Sequence, residues 1–198
     1  MDHQRELDEI LERMISDYVA HNSAAKILKT MLDDTGVGFV PVVDHVTLRT
    51  LDIDRRAEQF VAFGYTYDET LHYDDWYAKV YRKAGYPALF VDQGYPDDRG
   101  KTSIIPGWVK KFGDQVFHHV AVRVEDIEKA IERLRKKGVV FAGKIVGPPG
   151  GELRQIFSAP EMVDGQPFSV LELAERHRGY QGFLPPQADS LMKSTAPR

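Results

Sequence analysis

The N-terminal part of the chain carries apolar residues at helical spacing. Between residues 4 and 20 they recur every three or four positions, at Leu7, Ile10, Leu11, Met14, Ile15 and Tyr18. This period is typical of an amphipathic helix with one buried face. A second apolar stripe follows Ser23, which suits a helix N-cap, and the pattern stops at Asp34-Thr35-Gly36. Residues 1–38 are therefore predicted to form a helical cap.

The pattern that follows occurs twice, at an offset of 74 residues. The segment Asp44–Arg49 matches the segment His118–Arg123, so that His45 corresponds to His119 (119 − 45 = 74). The same offset pairs Asp52 with Asp126, Ile53 with Ile127, Ala57 with Ile131, Phe60 with Leu134 and Gly64 with Gly138. One offset that holds over this length indicates a duplicated structural unit.

Each copy predicts the element order β-α-β-β-β. The paired aspartates suit helix N-caps, and the paired glycines suit the left-handed turn that ends a helix. Further β-like segments follow at Tyr77–Arg82, Ala88–Asp92, Leu153–Phe157 and Phe168–Arg176. We therefore predict an α+β fold with a first module at 39–93 and a second module with a C-terminal tail at 116–198. Residues 94–115, rich in proline, glycine and charge, are the predicted linker.

Strand geometry brings three potential metal ligands together. Alternate strand residues point to the same face. The three predicted faces hold His45, Thr47 and Arg49; His119, Ala121 and Arg123; and Glu172, Ala174 and Arg176. Two histidines and one carboxylate, with coordination positions left open, form the ligand set of non-haem Fe(II) oxygenases. Thiolate ligands are excluded because the chain has no cysteine.

Glu172 and Asp92 each have a second interpretation. Glu172 lies in an apolar strand, where a buried carboxylate needs a metal or a cationic partner. The alternative to a metal is an ion pair with Arg49, Arg123 or Arg176. Asp92 is the rough counterpart of Glu172 in the first module. It is either a fourth ligand or, because Gly94 and Pro96 follow, a cap at the end of its strand.

Over residues 40–190, the paired modules resemble the vicinal oxygen chelate superfamily, the fold of glyoxalases and extradiol dioxygenases. The resemblance implies two sheets that form a half-barrel around a single metal ion. Within this superfamily, the segments Gln155–Pro160, Leu171–Arg176 and Gln181–Phe183 resemble the C-terminal end of 4-hydroxyphenylpyruvate dioxygenase. That likeness implies that Glu172 is an iron ligand and that the terminal helix bearing Phe183 closes the site.

The N-terminal part is closer to another family. Residues 17–22, the segment Asp44–Thr50 and residues 63–65 resemble the 2-oxoadipate dioxygenase/decarboxylase (hydroxyglutarate synthase) family. The resemblance implies the same His, His, Glu triad and assigns Arg49 to a substrate carboxylate, and residues 153–155 also match. The candidate substrate-binding residues are Arg49, Arg123, Arg154, Gln155, Arg176 and Phe183.

Both families act on 2-oxo acids with Fe(II) and O₂, so we expect a non-haem Fe(II)-dependent dioxygenase/decarboxylase of a small, 2-oxoadipate-like 2-oxo acid. The alternative metals are Zn, Ni, Co and Mn. Two other functions stay open. One is a glyoxalase-like lyase or epimerase, which would be favoured if Asp92 were a fourth metal ligand. The other is a non-catalytic ligand-binding protein of the bleomycin-resistance type. The presence of His45, His119 and Glu172 argues against it.

Charge and hydropathy indicate which classes of partner the protein has. The net charge is −4, and lysine and arginine are interspersed with acidic residues, so no basic stripe indicates nucleic acid. No apolar run reaches the length of a membrane span, and the acidic N-terminus does not resemble a signal peptide. We expect a cytoplasmic enzyme whose partners are a small 2-oxo acid and O₂, with no nucleic acid and no membrane. A homodimer stays open.

Overall fold

The computed structural model describes residues 3–194. Residues 1–2 of the predicted cap and 195–198 of the predicted tail lie outside the described residues. Within that range the chain forms six α-helices and a nine-stranded mixed sheet, which confirms the α+β prediction. None of the described helices is long and apolar enough to cross a membrane.

The predicted element order is present in both modules. The helices are α1 (His3–Ala20), α2 (Ser23–Asp33), α3 (Ile53–Ala62), α4 (Ile105–Phe112), α5 (Ile127–Lys136) and α6 (Pro185–Ser194). The strands are β1 (Val43–Arg49), β2 (Thr66–His72), β3 (Trp76–Arg82), β4 (Ala88–Gly94), β5 (Phe117–Val124), β6 (Phe141–Val146), β7 (Leu153–Ser158), β8 (Glu161–Val163) and β9 (Gln166–Arg176). Short 3-10 helices precede β1 and α4, at Val40–Val42 and Asp98–Thr102.

The described residues divide into two compact units. The first unit contains residues 3–17 and 45–118, and its strands follow the order β2-β3-β4-β1. Strand β1 pairs with β4 in parallel, and the other pairs are antiparallel. Because the parallel pair needs a crossover, α3 connects β1 to the antiparallel strands. The buried side chains of α3 include Ile53, Ala57 and Phe60.

The second unit contains residues 18–44 and 119–194 and has a related arrangement. Its strands follow the order β5-β9-β7-β6, with β8 paired to β9. Strand β5 is parallel to β9, and the remaining pairs are antiparallel. Helix α5 buries Ile127, Ile131 and Leu134, the residues that the repeat matches to those of α3. The boundaries 38, 93 and 115 of the proposed domain division stay a prediction.

An N-terminal segment of the second unit contacts its last strand. The Tyr18 hydroxyl donates a hydrogen bond of 2.5 Å to the Val170 carbonyl oxygen, and both residues are buried. Burial also raises the pKa of the Tyr18 hydroxyl. The Asn22 amide donates to the Ser169 hydroxyl at 3.1 Å. The second unit is therefore stabilised by residues that precede the first module in the sequence.

The helix ends confirm most of the predicted signals. Asp52 and Asp126 are N-caps whose side chains accept from backbone amides three residues later. Gly64 and Gly138 have φ angles of 90° and 96°, which a residue with a Cβ adopts at a cost. The N-cap of α2 was predicted wrongly. Asn22 rather than Ser23 caps this helix, because its side chain accepts from the Ala25 amide.

The predicted linker contains a helix that the sequence pattern did not reveal. Residues 105–112 form α4, which starts with a proline in its first turn and ends at Gly113. Ile105, Trp108 and Val109 of this helix are buried. Residues 94–115 therefore contribute packed side chains to the first unit.

Candidate metal centre

The first unit contributes a buried histidine. His45 on β1 is 2% exposed, and its ring centroid lies 5.1 Å from that of Phe90. In the pairing of β1 with β4, His45 is opposite Ala88 and Thr47 is opposite Phe90. Opposed residues of neighbouring strands share a face. His45 therefore lies on a buried face that also carries Phe90.

The second unit contributes a histidine and a carboxylate in contact. The Nε2 atom of His119 lies 3.3 Å from the Oε2 atom of Glu172, which is 1% exposed. The amide of Gln155 donates a 2.5 Å hydrogen bond to Oε1 of the same carboxylate. The Phe157 ring packs beside His119 with a centroid separation of 5.1 Å. One carboxylate oxygen thus faces an imidazole, while an amide holds the other.

His45, His119 and Glu172 form the group of potential metal ligands that is found among residues 3–194. Each offers one ligand atom, and these atoms all lie within 4.8 Å of one another. All three residues are buried. Two imidazole nitrogens and one carboxylate oxygen are suitable donors for a divalent first-row metal. The donor chemistry therefore fits a divalent metal.

Strand register corrects the expected counterpart of Glu172. Glu172 is opposite Ala121 on β5, two positions after His119. The equivalent position in the first unit is opposite Thr47, and it is occupied by Phe90. Asp92 lies two residues further along β4, opposite Arg49. Since β4 continues to Gly94, Asp92 is inside the strand and does not cap its end.

Asp92 is nevertheless an unusual carboxylate. It is 2% exposed, and its Oδ1 atom has no hydrogen-bond partner within the described residues. Burial raises the pKa of the Asp92 carboxyl to about 7, against the opposing influence of Arg49 and then His45. Desolvation of the charged form explains this direction.

Arg49 is the register partner of Asp92 and is also buried. Burial lowers the pKa of its guanidinium to about 10, while Asp92 acts in the opposite sense. The guanidinium carbon lies 5.3 Å from the centroid of the Trp108 ring, a cation–π arrangement. Trp108 belongs to α4. Sequence reasoning missed it because it treated residues 94–115 as a linker.

Two further predicted substrate ligands, Arg123 and Arg176, both bind Asp44. The Arg176 guanidinium donates to both Asp44 carboxylate oxygens, with a shortest separation of 2.9 Å, and to the Gly182 carbonyl oxygen. Arg123 donates to Asp44 at 2.9 Å and remains half exposed. Neither arginine is the ion-pair partner of Glu172 that the sequence left open. Their predicted contacts with substrate stay predictions.

The structure separates Arg154 from Gln155, although both were predicted to bind substrate. Adjacent strand residues point to opposite faces. Gln155 contacts Glu172, whereas Arg154 forms ion pairs with Glu128 of α5 and with Glu175. These pairs raise the pKa of the Arg154 guanidinium further. Arg154 therefore lies on the helix-covered side of the sheet, and its contacts favour a structural role.

Phe183 and the helix after it contact the ligand-bearing face of the second unit. The Phe183 ring is buried, and its centroid lies 4.7 Å from the guanidinium carbon of Arg176. Leu191 of α6 packs against Phe157 and Val170. Phe157 and Val170 share the face of Glu172, because Phe157 is opposite Glu172 and Val170 precedes it by two residues. Helix α6 therefore covers part of this face.

Solved structures with the same fold come from enzymes of different reaction types. A protein of Shewanella frigidimarina NCIMB 400, provisionally named a hydrolase, is 18% identical with a TM-score of 0.75, over 90% of this chain and 97% of that chain. Hydroxyglutarate synthase from Oryza sativa, solved with 2-oxoadipate, is 18% identical with a TM-score of 0.74, over 98% and 93%. Methylmalonyl-CoA epimerase from Mycobacterium tuberculosis is 20% identical with a TM-score of 0.53, over 69% and 89%.

At these identities the likeness is one of fold. No curated protein matches the sequence. A family model does match residues 44–157, more than half of the chain, and these residues include β1 to β7 with His45 and His119. The predicted resemblance to the glyoxalase and dioxygenase fold is therefore confirmed. The chain belongs to the Glyoxalase/Bleomycin resistance protein/Dioxygenase superfamily.

Proposed function

We propose that the protein is a non-haem Fe(II)-dependent dioxygenase/decarboxylase of a small 2-oxo acid, with His45, His119 and Glu172 as the metal ligands. The observation that carries this proposal is the buried group of two imidazoles and one carboxylate within 4.8 Å. Superfamily membership supports it, as does the similarity in fold to an enzyme solved with 2-oxoadipate.

Burial supports a metal over a simple polar contact. A carboxylate that is 1% exposed loses its hydration and needs a compensating charge. The His119 imidazole at 3.3 Å would compensate this charge only in its protonated form. Arg176, whose side chain is 4% exposed, is paired with Asp44. A bound cation is the compensation that this environment favours.

The ligand count supports the choice of reaction. His45, His119 and Glu172 would leave coordination positions of a bound Fe(II) open to a 2-oxo acid and O₂. Fe(II) in this site would supply the activation of O₂, and the 2-oxo acid would supply the electrons and release CO₂.

The chain's own residues hold the ligands and limit water. Gln155 fixes the orientation of Glu172 by donating to Oε1, which directs Oε2 toward His119. Phe90 and Phe157 pack beside the two imidazoles and limit their rotation. Helix α6 keeps water from part of the Glu172 face through Leu191. Arg49 provides a buried donor on the face of His45 for contact with the substrate.

The test is stoichiometric gas exchange. Protein loaded anaerobically with Fe(II) is mixed in air with 2-oxoadipate, 4-hydroxyphenylpyruvate and several aliphatic 2-oxo acids. We expect one of them to produce O₂ uptake and CO₂ release in equal amounts. The matched negative control is Glu172→Gln, which keeps the shape of the side chain and removes the ligand charge. If no 2-oxo acid elicits uptake, the proposal is wrong.

A metal-dependent lyase or epimerase is the second candidate, and Asp92 is the observation that favours it. Such reactions need a carboxylate base, and a pKa near neutrality suits proton transfer. Burial raises the pKa of Asp92 to about 7 on the face that carries His45. Turnover of a hemithioacetal or an epimerisable thioester by Zn-, Ni- or Co-loaded protein, without O₂ uptake on any 2-oxo acid, would establish this alternative.

A further inference from the structure

Arg49 and Asp92 form a buried pair of opposite charges on the ligand-bearing face of the first unit. They are opposite each other in the register of β1 and β4, and each is 2% exposed. Arg49 lowers the pKa of Asp92, and Asp92 raises the pKa of Arg49. Each therefore favours the charged form of the other, against the effect of burial. We call these two residues the charge pair. The second unit has no such pair at the equivalent position, where Arg123 is opposite Ala174.

The surroundings of the charge pair are apolar. Trp76, Ala78 and Val80 of β3 alternate along the same face, since Ala78 is opposite Asp92 and Val80 is opposite Phe90. All three are buried. Trp108 lies over Arg49. In such surroundings a further unbalanced charge is costly, so the net charge of the groups present restricts the charge of the ligand.

A divalent metal, Glu172, Arg49 and Asp92 together carry one net positive charge. Asp44 balances the charge of Arg176, and the charge of Arg123, which also binds Asp44, is screened by solvent because its side chain is half exposed. A monoanionic ligand therefore neutralises the site. A dianionic ligand would leave one excess negative charge, and its second carboxylate would meet an arginine that Asp92 already balances.

We propose that Asp92 makes this site selective for monocarboxylic 2-oxo acids with an uncharged, apolar distal end, by occupying the role that a second substrate carboxylate would fill beside Arg49. The inference rests on the proposed function and replaces the 2-oxoadipate-like expectation with a narrower substrate class. Arg49 then contacts the distal part of the ligand as half of a neutral pair, and the side chains of β3 and Trp108 provide the apolar environment.

The experiment compares two ligands of equal chain length, 2-oxohexanoate and 2-oxoadipate. They differ in a terminal methyl against a carboxylate. Binding to Zn-loaded protein is measured by calorimetry at pH 8.5, above the pKa of about 7 of Asp92. The wild-type protein should bind 2-oxohexanoate about 10-fold more tightly or better, since one unbalanced charge at short range has at least this effect. Asp92→Asn should reverse the preference.

Two further variants keep the experiment decisive. Arg49→Gln leaves Asp92 unbalanced and should disfavour 2-oxoadipate more strongly, so that it moves the ratio opposite to Asp92→Asn even if that variant folds poorly. Asp68→Asn is the matched control. It removes an exposed carboxylate of the same unit that pairs with Arg82, and the ratio should not change.

The possible outcomes distinguish a failure of the proposed selectivity from a failure of the proposed function. If both ligands bind but Asp92→Asn and Arg49→Gln leave their ratio unchanged, the selectivity inference is wrong and the proposed function stands. A wild-type preference for 2-oxoadipate overturns it in the same way. If neither 2-oxo acid binds to the Zn-loaded wild-type protein, the proposed function fails and the inference fails with it.

Discussion

The two β-α-β-β-β modules share their strand registers but differ at the positions that carry chemistry. In the second module, Glu172 is opposite Ala121, two residues after His119. In the first module the equivalent residue, opposite Thr47, is Phe90. A buried carboxylate in one module is thus a buried aromatic ring in the other, although the backbone pairing around both is the same.

Two residues further along the paired strands, the first module has the carboxylate and the second module does not. Asp92 is opposite Arg49 in the first module, whereas Ala174 is opposite Arg123 in the second. The neighbouring antiparallel strands, β3 and β7, also carry different residues at matching positions. Gln155 is opposite Ala174, and the corresponding residue opposite Asp92 is Ala78.

The duplication therefore determines the fold, whereas single register positions determine the chemistry. On its ligand-bearing face, each module holds one buried carboxylate on the strand that pairs in parallel, Asp92 on β4 and Glu172 on β9. In the second module it lies within reach of the imidazole, and in the first it lies beside an arginine. A shift by two residues along the strand separates the position of a predicted metal ligand from that of a predicted selectivity residue.

The largest expected effect comes from removing the carboxylate of the second module. Glu172→Gln keeps the volume and the contact with Gln155 but lacks the ligand charge, so stoichiometric binding of a divalent metal should be lost. Metal content after dialysis against Zn(II), measured by mass spectrometry, tests this. Glu132→Gln, an exposed change on α5, is the control. Full metal occupancy in Glu172→Gln would remove Glu172 from the ligand set.

The second prediction tests whether the modules are equal in stability. Phe60 and Leu134 occupy matching positions of α3 and α5 and are at most 2% exposed. Phe60→Ala should reduce the free energy of unfolding by about 3–5 kcal/mol and Leu134→Ala by about 2–5 kcal/mol, through lost burial and a remaining cavity. Urea unfolding measures both. A loss below 1 kcal/mol in only one variant would show that the two helices do not contribute equally.

The third prediction concerns the amide that holds Glu172. Gln155→Met preserves the length of the side chain but removes the donor to Oε1. Loss of such an orienting partner reduces metal affinity by about 10- to 100-fold. Competition for Zn(II) with a fluorescent chelator measures this change. The matching change in the first module, Ala78→Ser, should leave the affinity within about twofold, because the alanine side chain holds none of the three ligands by a hydrogen bond.

The smallest effect is expected at the helix N-caps. The side chains of Asp52 and Asp126 accept from the amides of Arg55 and Lys129 at 3.1 Å and 2.9 Å. Replacing either aspartate by alanine should cost about 1 kcal/mol, since one backbone donor loses its partner. Thermal unfolding of both variants provides the measurement. Losses that differ by more than about 1 kcal/mol would show that the two caps do not contribute equally to stability, although the repeat matches them.

Much of the fold could be predicted because the repeat is visible in the sequence. The offset of 74 residues holds from β1 to the end of α3, where the loops are of equal length, and it identified the helix caps and the paired histidines. The alternation of strand residues was sufficient to group His119 with Glu172.

Register across the later strands could not be predicted in this way. Phe90 and Glu172 are 82 residues apart (172 − 90 = 82), because the loops between the antiparallel strands differ in length. A sequence offset cannot follow such a change, so the sequence does not reveal that Phe90, rather than Asp92, is the counterpart of Glu172. Only the pairing with β1 determines which residue lies beside His45.

Tertiary contacts determined the other differences. Pro106 and Gly107 lie within α4, and two such residues in eight mask a helical pattern, so Trp108 was not recognised. Arg154 and Gln155 match a family motif together, but they point to opposite faces of β7. A motif defines which residues occur in order and does not define which of them share a surface.

The contact between Tyr18 and Val170 has a consequence for biosynthesis. The two residues are 152 positions apart, and Asn22 is 147 positions from Ser169. At a translation rate of about 5–20 residues per second, the N-terminal segment waits roughly 8–30 s for its partner strand. Residues 45–118 leave the ribosome during that interval and contain all four strands of the first unit. On the nascent chain, the first unit can therefore form its strand pairs before the segment around Tyr18 has anything to bind.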